Sequence, residues 1–559
     1  MKRWRATSRI SLCDTLFLGF IIFISALPYV FALGFYSDDW AYELTLTQHK
    51  FQSARMMAGA LISSDPNMRV RPVQAAYLVS GFKAFGLNPF PYHLLGTILL
   101  GFTVAALYFV LTEWSMQREV AAAISLVYGL LPQYSTDRFW IASQQATLSV
   151  LFALVGIYAM LRLTRPGEKR TWAWGITALS GLVLSFLSYE VMVGAVVAAV
   201  MAIGIQIARR TRNSAVRDTR AIEWVGGITC CLFIVGILKT FLQNRIVYNH
   251  HLQRFLGKLG KIAMHQTGQA VKFNLWSYGL RLPWLVLHLG RESALNPAAI
   301  GSAAFICGCV VVLLWVTWEG EFWPALNWLK LLAMGFAVYV LGIFLFARDL
   351  DSDFSSPGIN NRIAIASALG SAMVWVGLVG LVCHLIRHES LRRRVFAVLI
   401  GLICGANCLT VCGIAHYWTD SSRRQAAIIS SVRTNVTHLT GRSVLLLDGY
   451  CRYDGPSPVF ETDWDTTGAL QLAYRNFSLT GDVLSSSTHF TNTAVDTAEY
   501  GDPEGHYPYN EYLLVYNLRD RSLHILDSDP AAMRYVQEEH SIRNSDCPDV
   551  RDGYGSPIF

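Results

Sequence analysis

The sequence predicts an α-helical polytopic membrane protein with about eleven transmembrane helices and a small C-terminal soluble domain of α/β or mixed type. Three observations carry that expectation. Of 559 residues, 53% are hydrophobic and only 15% charged, with a mean hydropathy of +0.35, more apolar surface than a soluble chain of this size needs for its core. The apolar residues fall in runs of roughly 20 with few charges, the length that crosses a hydrocarbon layer about 30 Å thick. After His416 the pattern changes to short alternating runs broken by Gly, Pro, Asp and Ser, which read as strands and turns.

The spans follow in order. Residues 1–9 are basic and lead into an apolar stretch too long for a cleaved signal, so 12–34 is read as a retained first helix. Further spans are expected near 91–113, 119–135, 141–162, 171–188, 191–208, 222–242, 299–317, 327–347, 363–386 and 395–416. An odd number of crossings puts the two ends of the chain on opposite sides.

Basic residues test the count, because alternate links should carry them on the cytoplasmic side. Lys2, Arg3, Arg5 and Arg9, then Arg118, then Arg162, Arg165, Lys169 and Arg170, then Arg209, Arg210, Arg212, Arg217 and Arg220, and finally Arg387, Arg392, Arg393 and Arg394 all fall on the N-terminal side. Only the link holding Glu319 and Glu321 lacks a base. The formal charge of +7 therefore reports topology, and no nucleic-acid partner is expected. The chain divides into a transmembrane body, 1–416, with a cytoplasmic N-terminus, and an extracytoplasmic domain, 417–559.

The face opposite the basic links holds two long loops, 35–91 and 243–297, and a shorter one, 348–362. Within the second long loop, 284–289 is a short apolar piece at the interface, and Lys272 and Arg281 argue against a full crossing. Nine of the eleven cysteines sit in apolar runs as small hydrophobes. Cys451 and Cys547 lie in the soluble domain, where an oxidising compartment favours a disulfide between them. No CxxC, HExxH, P-loop or GxGxxG pattern occurs, so no metal, ATP or dinucleotide site is signalled, while use of a divalent ion stays open.

Residues 35–40, Phe-Tyr-Ser-Asp-Asp-Trp, leave the first span with two adjacent carboxylates. Like charges so close raise at least one pKa, which suits a general base. The plainer alternative is a solvated cap, with Ser37 or Asp38 starting a helix at Asp39. The same loop ends in Arg69-Val70-Arg71-Pro72, and the next span opens with Pro91-Tyr92-His93-Leu94. Along this face come Asp137, Arg138 and Trp140, then Tyr189 and Glu190, then Arg348 and Arg362. Arginines at span mouths are often snorkelling anchors. Several of them gathered with acids suit a phosphate held by guanidinium groups while a carboxylate activates a nucleophile.

These features resemble the GT-C superfamily of multispanning glycosyltransferases that use polyprenyl-phosphate sugars. The resemblance rests on Asp38-Asp39, Arg71-Pro72, Pro91-Tyr92-His93-Leu94, Tyr189-Glu190 and the many-span body with an outward C-terminal domain. It looks closest to bacterial members that decorate surface glycans, which implies an inner membrane with the C-terminal domain in the periplasm. It implies an inverting transfer in which Asp38 or Asp39 serves as base toward a glycan or lipid-linked acceptor. Arg71 and Arg362, with Arg138 and Arg348 behind them, would hold the donor phosphate, and His93, Tyr189 and Glu190 would contact substrate. Trp276, Tyr278 and Trp284 would border the groove for the lipid tail, or serve as plain interface anchors. Asp463, Trp464 and Asp465 read as a turn or a glycan contact. Two rival readings are a multispanning glycan ligase or polymerase, and a lipid-linked-sugar transporter or flippase.

Overall fold

In lipid an apolar segment closes its backbone hydrogen bonds only as a helix. The computed structural model describes residues 2–165, 167–213, 219–247, 264–265, 267–268, 271–291, 296–318, 320–344, 358–437, 439, 442–499 and 502–538. Among these residues nine helices are long and apolar enough to cross a membrane: Pro89–Glu113, Gln144–Leu163, Thr171–Ser188, Glu190–Ala208, Arg220–Leu242, Pro297–Thr317, Ala325–Ile343, Ile359–His384 and Glu389–Asn435. Their outer faces leave Phe233, Ile237, Val312 and Trp315 uncovered, which lipid tolerates and water does not. The chain is an integral membrane protein.

Two of the eleven expected spans differ. The first is helix α1 (Lys2–Ala26), whose apolar part is Leu12–Ala26; it ends just before Pro28, which has no N–H to continue the ladder, and residues 27–32 run on as turns. A short helix outside the apolar runs, α2 (Asp38–Gln48), follows it. The stretch read as a span over 119–135 is helix α3 (Arg118–Leu130), thirteen residues long, and stopped where Leu131 precedes Pro132. Every residue from Glu119 to Leu130 is buried, so its apolar composition serves protein packing instead of lipid contact.

Links assigned to one face do meet. Arg118 grips Asp14 with Nε and Nη2, both at 2.5 Å, and the Tyr108 hydroxyl donates to the same carboxylate at 2.6 Å. Arg165 pairs with Glu113. The link around Glu321, which carries no base of its own, receives Gln117 Nε2 on the Glu321 carbonyl at 3.0 Å, and Arg392 and Arg393 lie over Phe322 and Trp318. These contacts come from neighbouring links.

The last membrane helix does not stop near His416. It continues without a break as α4 (Glu389–Asn435), 47 residues; at about 1.5 Å per residue that is roughly 70 Å, more than twice a hydrocarbon layer of about 30 Å. On its C-terminal part packs a mixed sheet. Strands β1 (Val444–Asp448), β2 (Thr480–Val483), β3 (His489–Phe490), β4 (Ala494–Glu499), β5 (Asp502–Pro508), β6 (Leu513–Asn517) and β7 (Ser522–Ile525) form two sheets, a four-stranded one in the order β2-β1-β6-β7 and an antiparallel β3-β4-β5. β1 runs parallel to β2 and β6, which requires a crossover, and helix α5 (Asp463–Tyr474) supplies it between β1 and β2.

Alternation along β1 decides the two faces. Leu445 and Leu447 pack with Ile428 and Val432 of α4 and Leu470 of α5, while Leu446 packs with Val495 of β4 and Tyr535 beyond the sheet. Cys451 is disulfide-bonded, and Cys547 lies outside the described residues.

Candidate active site

The chain leaving α1 is fastened before α2 begins. The Tyr36 hydroxyl donates to the Trp418 carbonyl of α4 at 2.6 Å, and His93 Nε2 bonds the Gly34 carbonyl at 2.8 Å. His93, read from sequence as a substrate contact, is buried and clamps this loop onto the second span. A sharp turn at Ser37 then opens α2, with Asp38 and Asp39 in its first turn, where the helix dipole favours negative charge.

The two carboxylates have different surroundings. Asp39 is buried and accepts from three backbone N–H groups, Ala142 at 2.8 Å, Tyr36 at 3.1 Å and Ile141 at 3.4 Å. It ties the start of α2 to the chain ahead of the Gln144–Leu163 helix. Burial pushes its carboxyl well above the ordinary range, against those donors. Asp38 is only partly buried. Burial pushes it up to about 6, with Arg362 opposing the rise and Glu461 and Asp65 adding to it. Of the pair, Asp38 combines access with a value suited to proton transfer near neutrality.

Arg362 faces Asp38, and two further cations, Arg71 and Lys239, gather around Tyr189 and Glu190. Arg71 lies with its guanidinium 4.5 Å from the centre of the Tyr189 ring and pairs with Glu190 at 3.3 Å. Glu190 also pairs with Lys239 at 2.7 Å. Arg362 stacks over the Trp140 ring at 4.8 Å and interacts with Tyr189, Asp38 and, repulsively, Arg71. Two guanidinium groups thus share one tyrosine, and a carboxylate of raised pKa faces one of them. An anion bridging the arginines would relieve their repulsion.

Arg362 is placed by its neighbour in the Ile359–Ala364 turn. Asn361 Oδ1 accepts the Thr136 N–H at 3.1 Å, its Nδ2 donates to Ser135 at 3.1 Å, and Thr136 Oγ1 donates to the Gly358 carbonyl at 2.7 Å. Asp137 next to them bonds Ser143, and burial raises its carboxyl well above the usual range.

Other residues singled out from the sequence lie elsewhere. Arg138 is buried, gives Nη2 to the Gly129 carbonyl at 2.5 Å and lies over the Tyr134 ring at 5.5 Å, among core residues. Arg348 lies outside the described residues. Trp276 and Tyr278 belong to the Lys272–Leu280 helical turn, with Trp276 half exposed and Tyr278 buried. Trp284 follows in a short helix and carries the Arg281 guanidinium at 4.3 Å from its ring centre. Asp463, Trp464 and Asp465 form no turn; they open α5, and Asp465 caps it by accepting the Thr462 N–H at 3.1 Å. Among the described residues no group of three or more His, Cys, Asp or Glu side chains could hold a metal ion.

Two solved structures resemble the chain loosely. ArnT from Cupriavidus metallidurans in the apo state is similar at 14% identity and a TM-score of 0.37, over 84% of this chain and 85% of that chain. ArnT from the same organism bound to undecaprenyl phosphate is similar at 13% identity and a TM-score of 0.34, over 82% and 84%. At that degree of superposition the likeness assigns no residue and no activity here. Neither a protein-family model nor a curated protein matches the chain.

Three members of the site escaped the sequence reading. Lys239 is a lone cation near the end of an apolar run, a signal that was present in the sequence. Asn361 and Glu461 look like ordinary polar loop residues, and only long-range contacts give them a place.

Proposed function

We propose that the chain is a GT-C-like inverting glycosyltransferase that moves a sugar from a polyprenyl-phosphate donor to a hydroxyl of a surface-glycan or lipid-linked acceptor. The observation that carries this reading is Asp38, partly buried with a carboxyl raised to about 6, facing an arginine that shares Tyr189 with a second arginine. Arg71 and Arg362 hold the donor phosphate, and Lys239 keeps Glu190 engaged so that Arg71 stays directed at Tyr189.

The acceptor oxygen attacks the anomeric carbon from the face opposite the phosphate. The new carbon–oxygen bond forms as the bond to phosphate breaks, the electron pair leaves on the phosphate, and the hydroxyl proton passes to Asp38. Attack from the opposite face inverts the configuration. The leaving phosphomonoester gains negative charge in the transition state, and the two guanidinium groups stabilise it where that charge grows. Asp39, bonded to three backbone donors, positions the helix that carries the base. The lipid tail lies in the bilayer while the phosphate sits at its boundary, and the basic links at the other ends of the spans support a site on the extracytoplasmic side of a bacterial inner membrane with the C-terminal domain in the periplasm.

The experiment is transfer of hexose from a panel of undecaprenyl phosphate hexoses to membrane glycolipid acceptors by purified wild type, Asp38→Asn and Asp39→Asn. The Asp38 variant is expected to lose activity by about 100-fold or more. Full turnover in both folded variants would refute the assignment of the base. A C-terminal reporter active only in the periplasm is the outcome expected for orientation; cytoplasmic activity would remove the domain from the donor's side.

A further inference from the structure

Ser37, immediately before Asp38, has φ +48° and ψ −124°. A side chain there is strained, and such a conformation persists only where the surroundings enforce it. The enforcing contact crosses between the two parts of the molecule. The Ser37 hydroxyl makes no cap to α2 and instead donates to the carboxylate of Glu461, in the loop that leads into α5.

Glu461 is itself fixed on every side. It is 1% exposed; its other carboxylate oxygen receives the Tyr453 hydroxyl, its carbonyl accepts Arg452 Nη1 at 2.8 Å, and its N–H donates to Asp465 at 2.9 Å. The two helices behind this contact also touch at the backbone, since a Cβ at Gly468 of α5 would lie 2.7 Å from the main chain of Trp40 in α2. Glu461 thus comes from a network built wholly outside the membrane and ends on the residue that sets where Asp38 begins.

Resting on the proposed transfer reaction, we propose that Glu461 is a positioning residue: through Ser37 it fixes the placement of the Asp38 carboxylate, making the extramembrane domain part of the active site. The groups that face Asp38 are Glu461 from that domain, Arg362 from the Ile359–Ala364 turn, Asp65 from the end of the Ala54–Ser64 helix, and Asp39 and Tyr42 on α2 itself. Glu461 therefore acts on Asp38 in two separable ways, by a hydrogen-bonded tether and by its charge.

The test is the pH profile of kcat/KM and the kcat of detergent-purified full-length Ser37→Ala, Glu461→Ala, Glu461→Gln and Asp38→Asn with undecaprenyl phosphate hexoses as donors. Cutting the tether in Ser37→Ala or Glu461→Ala is expected to lower kcat by about 100-fold, with the donor KM within about twofold of wild type. Glu461→Gln keeps an acceptor for Ser37, so it is expected to recover most of the kcat, with the acid limb moved to lower pH because a negative charge beside Asp38 is gone. Folded tether variants with unchanged kcat, or a Glu461→Gln limb that stays in place, would overturn the inference. Should the Glu461 variants not fold, Ser37→Ala decides alone. An active Asp38→Asn would instead refute the reaction itself, and that failure is distinguishable from the others.

Discussion

Replacing Asp38 with Asn should stabilise the protein while it silences it. In the folded chain burial pushes the Asp38 carboxyl up to about 6 from an ordinary 3.8. An acid whose folded pKa is raised holds its proton more tightly when folded, so stability falls as pH rises through the window from 3.8 to about 6 and stays lower above it. At about 1.4 kcal/mol for each tenfold change in proton affinity, the ionised carboxylate costs the folded state about 3 kcal/mol at pH 8. Asparagine has no charge to desolvate and removes that cost. The gain is expected to be about 3 kcal/mol at pH 8 and about half of that at pH 5, where the wild-type carboxyl is mostly protonated.

The assay is thermal unfolding of purified wild type and Asp38→Asn in one detergent at both pH values, beside sugar transfer. The expected result is a higher melting temperature for the variant, by more at pH 8, with turnover lost. An equal or lower melting temperature at pH 8 would mean that Asp38 is not strained by burial, and the reason for choosing it as the base would fall.

Three further outcomes are expected. Turnover in wild type should rise about tenfold between pH 5 and pH 7 as Asp38 loses its proton, and a flat profile would exclude it as the base. Arg71→Met and Arg362→Met should each weaken retention of undecaprenyl phosphate by about 10-fold or more, whereas Arg138→Met, which removes a core contact, should lower the melting temperature instead; binding measured with labelled lipid and unfolding curves separate the two cases. Asp14→Ala removes the acceptor of Arg118 and Tyr108, and should cost about 2–3 kcal/mol of stability with little change in turnover per folded molecule.

The sequence revealed what composition and periodicity encode. Runs of lipid length stood out, the alternating runs late in the chain marked a strand-containing C-terminal part, though the helix runs on past His416 to Asn435, and adjacent aspartates at a span exit drew attention because charge is costly there. It failed where identical composition serves two surroundings. Glu119 to Leu130 looks like a span because a helix buried on all sides and one facing lipid use the same residues, and only its length and Pro132 tell them apart. Asp38 and Asp39 were indistinguishable as neighbours; the difference comes from Ile141 and Ala142, about a hundred positions away. Arg138 and Arg362 both lie near span mouths, yet one ends against Gly129 in the core and the other beside Asp38, a distinction set by packing that no local pattern contains.

The unbroken helix from Glu389 to Asn435 makes the C-terminal domain a passenger on a lever. The part beyond His416 is 19 residues, roughly 28 Å at about 1.5 Å per residue, so a change of about 5° in tilt within lipid carries the far end sideways by about 2–3 Å. A bilayer whose thickness altered that angle would act on Asp38 through Glu461 and Ser37, and reconstitution in lipids of graded chain length would then read out as a graded rate.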